Sequence, residues 1–131
     1  MGYILDHRYQ EFVGLTYEHV IRENCFQYAL EHRIPFMPET IGKWWGPVYR
    51  DSVWQESEVN VIAYDDHHLL VGECQYRSKA MGIQELTELR VKAEFILAKG
   101  RELCYLLASR SGFTEELLSL HDPKVILIDS I

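Results

Sequence analysis

The sequence predicts one α/β domain built on a central mixed sheet with helices packed against it. Two segments carry apolar residues at helical spacing, and several short runs alternate or are continuously apolar over strand length. Their order is helix, strands, helix, strand, short helix, strand. A chain of 131 residues, 47% hydrophobic and 25% charged, is large enough to bury one core and too apolar for disorder.

The first helix is predicted over residues 9–32, where Val13, Tyr17, Val20, Ile21, Asn24, Cys25 and Tyr28 fall at steps of three and four. Pro35 and Pro38 are expected to end it. Thr40 to Pro47 has a strand-like start and a glycine-bounded aromatic pair, Trp44-Trp45. From Glu58 to Tyr64, polar Glu58 and Asn60 alternate with Val59 and Val61, as in a half-buried strand. Asp65-Asp66-His67-His68 reads as the turn of a hairpin leading into a second strand, from His68 to Tyr76.

A second helix is predicted over residues 83–98, with Ile83, Leu86, Leu89, Ala93, Ile96 and Leu97 as its apolar stripe. Glu88 and Lys92 are expected to pair on its wet side, and Gly100 to stop it. Residues 104–108 and Val125 to Ile128 are continuous apolar runs, the signature of strands buried on both faces. Between them Thr114 is placed to cap a short helix.

Composition narrows the function classes. A net charge of −7 argues against nonspecific nucleic-acid binding, although a local basic cleft remains compatible with it. Lys43, Arg50, Arg77 and Lys79 are the basic cluster such a cleft would use. Cys25, Cys74 and Cys104 have neither disulfide-framework nor zinc spacing, so they are predicted to be buried free thiols in a reducing cytoplasm. No apolar run reaches the roughly 18 residues of a membrane span, and no leader opens the chain, so no membrane association is expected. His67 and His68 are adjacent rather than i, i+4, which favours a turn over a metal site.

The constellation with chemical content is Glu58-x-Asn60 on one strand facing Glu73-x-Gln75 on its hairpin partner. Residues two apart on a strand share a face, and cross-strand neighbours lie about 5 Å apart. Carboxylates and amides within apolar strands need partners, because burying them unpaired is costly. Metal-dependent phosphodiester cleavage would supply one such reason, since Mg²⁺ takes carboxylate, water and phosphate oxygens.

The chain resembles the PD-(D/E)XK nuclease superfamily and, more narrowly, the uncharacterised C-terminal domain of certain archaeal and bacterial P-loop ATPases. The resemblance rests on Tyr17-Glu18, Ile41-Gly42-Lys43-Trp44-Trp45-Gly46, residues 58–63, Gly72-Glu73-Cys74-Gln75-Tyr76 and residues 109–117. It covers residues 12–131, leaving 1–11 as a cut end or linker. It implies a three-layer restriction-endonuclease-like fold, with Glu18 as the helix acid and Glu73 as the acid of the ExK element. Asn60 stands where a metal-binding Asp is expected, and Gln75 where a Lys is expected. Asn removes a negative charge and Gln a positive one. Glu58 is the candidate to compensate for Asn60, with Glu73, Asn60 and Glu58 as the ligand set of a weak Mg²⁺ site. Lys79 or Lys92 is the candidate relocated lysine.

For each residue a plainer role stands beside the catalytic one. Glu18 is equally an ion-paired helix acid, and Asn60 and Gln75 are expected to hydrogen-bond each other or Glu73 as a relic network. Trp44 and Trp45 either stack on bases or pack under the sheet edge, the second being expected. Arg110 is expected to be solvated. The function expected is a degenerate nuclease-like domain, non-catalytic or weakly active, binding nucleic acid or a partner protein. Its implied partners are DNA and the ATPase and DNA-binding regions of a parent chain. The alternative is an active Mg²⁺-dependent DNA nuclease using Glu73, Glu18 and a relocated lysine. No GxxxxGK[ST] loop is present, so ATP hydrolysis would reside outside this chain.

Overall fold

The computed structural model of the protein describes residues 14–96 and 98–129. The predicted linker at 1–11 and the start of the first helix lie outside them. The described part of that helix comes in two pieces, α1 over residues 14–23 and α2 at Cys25–Leu30, separated by a turn at Asn24. Hydrogen bonds bridge the break, from Asn24 N–H to Val20 O and from Tyr28 N–H to Asn24 O, both 2.9 Å. Tyr17, Ile21, Cys25 and Tyr28 are buried, as their spacing predicts. The prolines do not end the helix. The chain turns at His32, whose φ of 62° is left-handed, with His32 N–H bonded to Ala29 O and Arg33 N–H to Tyr28 O. These are the paired bonds of a Schellman stop, made without glycine.

Five strands form one sheet in sequence order: β1 (Thr40–Arg50), β2 (Val53–Tyr64), β3 (His68–Gln75), β4 (Glu102–Ser109) and β5 (Val125–Ile128). The first three are antiparallel neighbours, whereas β3–β4 and β4–β5 are parallel. Helices α3 (Ile83–Ala93) and α4 (Glu115–Leu118) lie in the two crossovers. The sheet is therefore mixed, as predicted. The β2–β3 hairpin turns where expected, with Asp65 Oδ1 accepting from the N–H groups of His67 and His68 at 2.8 and 2.7 Å. Thr114 caps α4, its hydroxyl accepting from Leu117 N–H.

Helices cover both faces, which gives three layers. Tyr17, Ile21 and Cys25 pack with Val61, Leu70 and Leu106 on one face. Leu86, Leu89 and Leu117 pack with Val59, Val71 and Leu107 on the other. All three cysteines are buried and free. No helix among the described residues is long and apolar enough to cross a membrane.

Three further elements differ from expectation. Residues 40–47 and 58–64 are strands, as expected, but each is part of a longer one, and β1 and β2 form one long hairpin closed by a two-residue turn at Asp51-Ser52 with φ of 54° and 63°. Left-handed geometry at both positions is that of a type I′ turn, which Asp-Ser adopts less readily than Asn-Gly and so does not announce. Helix α3 ends at Ala93, short of the predicted 98, and tightens into i→i+3 bonds from Glu94, Phe95 and Ile96. Gly100, at φ 80°, shapes the turn into β4 instead of stopping the helix.

The third difference is a β-bulge. Gly42 faces Ile62 and Trp44 faces Val59, so Lys43 alone stands opposite both Asn60 and Val61. A bulge of this kind bends the strand and re-aims a side chain. Here it turns Asn60 toward α1.

The sheet is tight at Gly72, where an added Cβ would lie 3.0 Å from Val61 Cβ and 3.3 Å from Leu106 Cβ. Gly72→Ala is expected to destabilise the fold by about 1–3 kcal/mol through overpacking, read from the urea midpoint at unchanged slope.

Candidate functional site

Glu18 on α1 and Asn60 at the β2 bulge meet directly. Asn60 Nδ2 donates to Glu18 Oε1 at 2.8 Å, and Asn60 Oδ1 accepts from Cys74 N–H on β3 at 2.9 Å. Asn60 is 6% exposed. The backbone N–H of Cys74 can only donate, so it fixes which end of the carboxamide is oxygen. The NH₂ end must then face Glu18. Arg22, one turn along α1, completes the contact by donating to Asn60 O at 2.8 Å, with its guanidinium 3.9 Å from the Glu18 carboxylate. The Glu18 carboxyl is held above its ordinary range, first by burial and then by Glu58, against the pull of Arg22, Lys43 and the Asn60 amide.

Glu73 and Gln75 on β3 line a polar pocket with Arg77 and with Glu85, Glu88, Leu89 and Lys92 of α3. Lys92 Nζ stands 3.7 Å from Glu73 Oε2 and donates to the backbone oxygen of Glu58 at 3.0 Å. It stitches α3 to both β2 and β3. The pairing of Lys92 with Glu88 on a wet face is thus corrected: Lys92 is 16% exposed and turns to the sheet. Burial pushes the Glu73 carboxyl up to about 7; Lys92 and Arg77 oppose the shift, whereas Glu18 and Glu58 add to it.

The predicted constellation is therefore split. Glu18 and Asn60 are joined, Glu73 is paired with Lys92, and Gln75 lies in the same pocket as Glu73. The expected network between Asn60 and Gln75 or Glu73 is replaced, because the bulge gives Asn60 other partners. Of the two candidate lysines, Lys92 reaches Glu73, whereas Lys79 is exposed and lines a neighbouring cleft with Gly82, Thr114 and Glu116. Trp44 packs on the core as expected, but Trp45 is 61% exposed, with Lys43 Nζ 5.3 Å over its ring. Arg50 lies at the hairpin tip, away from the others of the proposed basic cluster, and Arg110 sits 4.6 Å over the Tyr76 ring. His68 opens β3 directly after the turn, its ring bonded to Asp65 and stacked on Phe36. Arg22 was missed by the sequence reading. Its spacing of four from Glu18 was the available signal.

Among the described residues no three His, Cys, Asp or Glu side chains group as a metal-ligand set. The Asn60 oxygen is engaged by Cys74, and its N–H groups face the Glu18 carboxylate.

The raised Glu73 carboxyl has a linkage consequence. The folded state keeps the proton up to pH about 7, whereas the unfolded chain releases it near 4.5. Folded protein then binds more protons across that window, so Glu73 lowers stability as pH rises through it. Glu73→Gln is expected to be more stable than the parent by on the order of 1–3 kcal/mol at pH 8, with the difference vanishing near pH 4, in denaturant titrations at both values.

No curated protein matches the chain significantly. The crystal structure of a protein of unknown function, AF1548, is 20% identical over 78% of this chain and 55% of its own, with a TM-score of 0.45. A repair endonuclease from Pyrococcus abyssi is 14% identical over 84% of this chain and 46% of its own, with a TM-score of 0.43. The chain spans about half the length of these solved structures. The family model DUF234, described as archaeal and bacterial proteins of unknown function, matches residues 3–89, more than half of the 131 residues, and the chain belongs to that family.

Proposed function

We propose that this domain is a nuclease-like module of the PD-(D/E)XK kind whose cleavage site has become a hydrogen-bonded staple. In this reading it serves nucleic-acid or partner-protein binding beside an ATPase in its parent chain. One observation carries it. Where the resemblance calls for a metal-binding Asp, the Asn60 carboxamide is oriented by Cys74 N–H so that it presents donors to Glu18. A cation between residues 18 and 60 would meet N–H groups, whose partial positive charge repels it. The charge of −7 supports a protein partner over nonspecific DNA.

A second reading has its own observation. Lys92 stands 3.7 Å from Glu73, the placement that a relocated lysine would need in an active nuclease using Glu73 and Glu18. Calorimetric titration of Mn²⁺ and Mg²⁺ separates the two. Under the staple reading the parent protein binds neither ion, while the Asn60→Asp, Gln75→Lys double variant does. Saturable binding by the parent, lost in Glu73→Ala and accompanied by DNA cleavage, would favour the active enzyme.

The single reversion Asn60→Asp sets a carboxylate against Glu18. It is expected to cost about 1–3 kcal/mol at pH 7 without metal, and Mn²⁺ is expected to restore part of the loss, measured as a thermal midpoint. Unchanged stability in the variant would contradict the staple.

A further inference from the structure

The distal half of the first hairpin carries a surface that neither reading uses. The β1–β2 ladder runs on to Arg50 and Val53, whereas β2 pairs with β3 only from Val61 to Tyr64. Beyond that point the hairpin is a two-stranded ribbon among the described residues. On β1, exposed Lys43, Trp45, Pro47 and Tyr49 alternate with buried Gly46 and Val48, so they share one face. Directly across the ladder stand Glu58, Glu56 and Trp54, opposite Trp45, Pro47 and Tyr49 respectively.

This face is an aromatic platform with an acidic margin. Trp45 is 61%, Tyr49 49% and Trp54 62% exposed. The rings at the tip are braced rather than loose: Tyr49 and Trp54 lie 5.3 Å apart, and Trp54 meets Phe95 edge-on at 5.8 Å. Rings fixed by one another lose little freedom on binding, and a contiguous exposed apolar patch marks an interaction site.

The chemistry selects among occupants. A single-stranded nucleic acid stacking on the rings would carry its phosphates past the carboxylates of Glu56 and Glu58. Strand addition along the outer edge of β1 is blunted at Pro47, which has no N–H to offer. An extended peptide docking through side chains has neither difficulty. Prolines pack on Trp and Tyr faces at low entropic cost in the polyproline II form, and a basic side chain would meet Glu56. We propose that this ribbon face binds a proline-rich peptide segment bearing a basic residue.

The test uses the whole chain and two synthetic proline-rich peptides, one with arginines and one with glutamates at the same places. Tryptophan fluorescence titration is expected to show saturable binding of the arginine peptide, at least tenfold weaker binding of the glutamate peptide, and a tenfold loss in Trp54→Ala. Glu56→Lys, on an exposed side chain, is expected to weaken the arginine peptide and relieve the glutamate one, with melting curves confirming that both variants fold. Absence of saturable binding by the arginine peptide overturns the proposal. So does tighter binding of oligothymidylate than of that peptide, or quenching that follows protein concentration alone, which would mark the face as a contact between copies of this chain.

Discussion

The carboxamide of Asn60 ties the α1 layer to both strands of the second hairpin. Its two ends do different work: the NH₂ end holds the Glu18 carboxylate of α1, and the oxygen holds the Cys74 N–H of β3. Asn60 is nearly inaccessible, so neither bond is traded against water once formed, and losing either would strand a buried polar group. The β-bulge is what makes this reachable. Without the extra residue opposite Lys43, the strict alternation of β2 would send Asn60 and Val61 to opposite faces.

Lys92 supplies the matching tie on the other face. By engaging the Glu73 carboxylate and the Glu58 carbonyl, it fixes the end of α3 against the point where β2 and β3 stop pairing. The two ties are electrostatically linked, since Glu18 and Glu58 both press the Glu73 carboxyl toward its neutral form. A site with three carboxylates thus balances its charge with Arg22, Lys92 and a neutral amide. In the reading proposed above, these groups hold the three layers together and leave binding to the surfaces around them.

Much of this was legible in the sequence. The β2–β3 hairpin, the capped α4, the strands β4 and β5 and the buried faces of α1, α2 and α3 each follow from residue spacing or turn chemistry. What was hidden depended on backbone geometry that residue type signals weakly. Asp51-Ser52 makes a type I′ turn without glycine, and His32 ends a helix in a left-handed conformation that prolines were expected to force. The bulge leaves no mark in a pattern of alternating residues, so spacing alone points Asn60 at Gln75 and Glu73, whereas its partners are Glu18 and Cys74. The i, i+4 spacing of Lys92 with Glu88 points to a wet face because it cannot show that the half-buried Glu73 carboxylate faces α3 from the sheet.

A double-mutant cycle on Glu18→Ala and Asn60→Ala, measured by chemical denaturation at pH 7, tests the staple most directly. The account predicts a coupling of about 1–3 kcal/mol between the two substitutions, since each removes the partner of the same buried bond. Additivity within about 0.3 kcal/mol would contradict it, and would return Glu18 and Asn60 to the status of independent side chains.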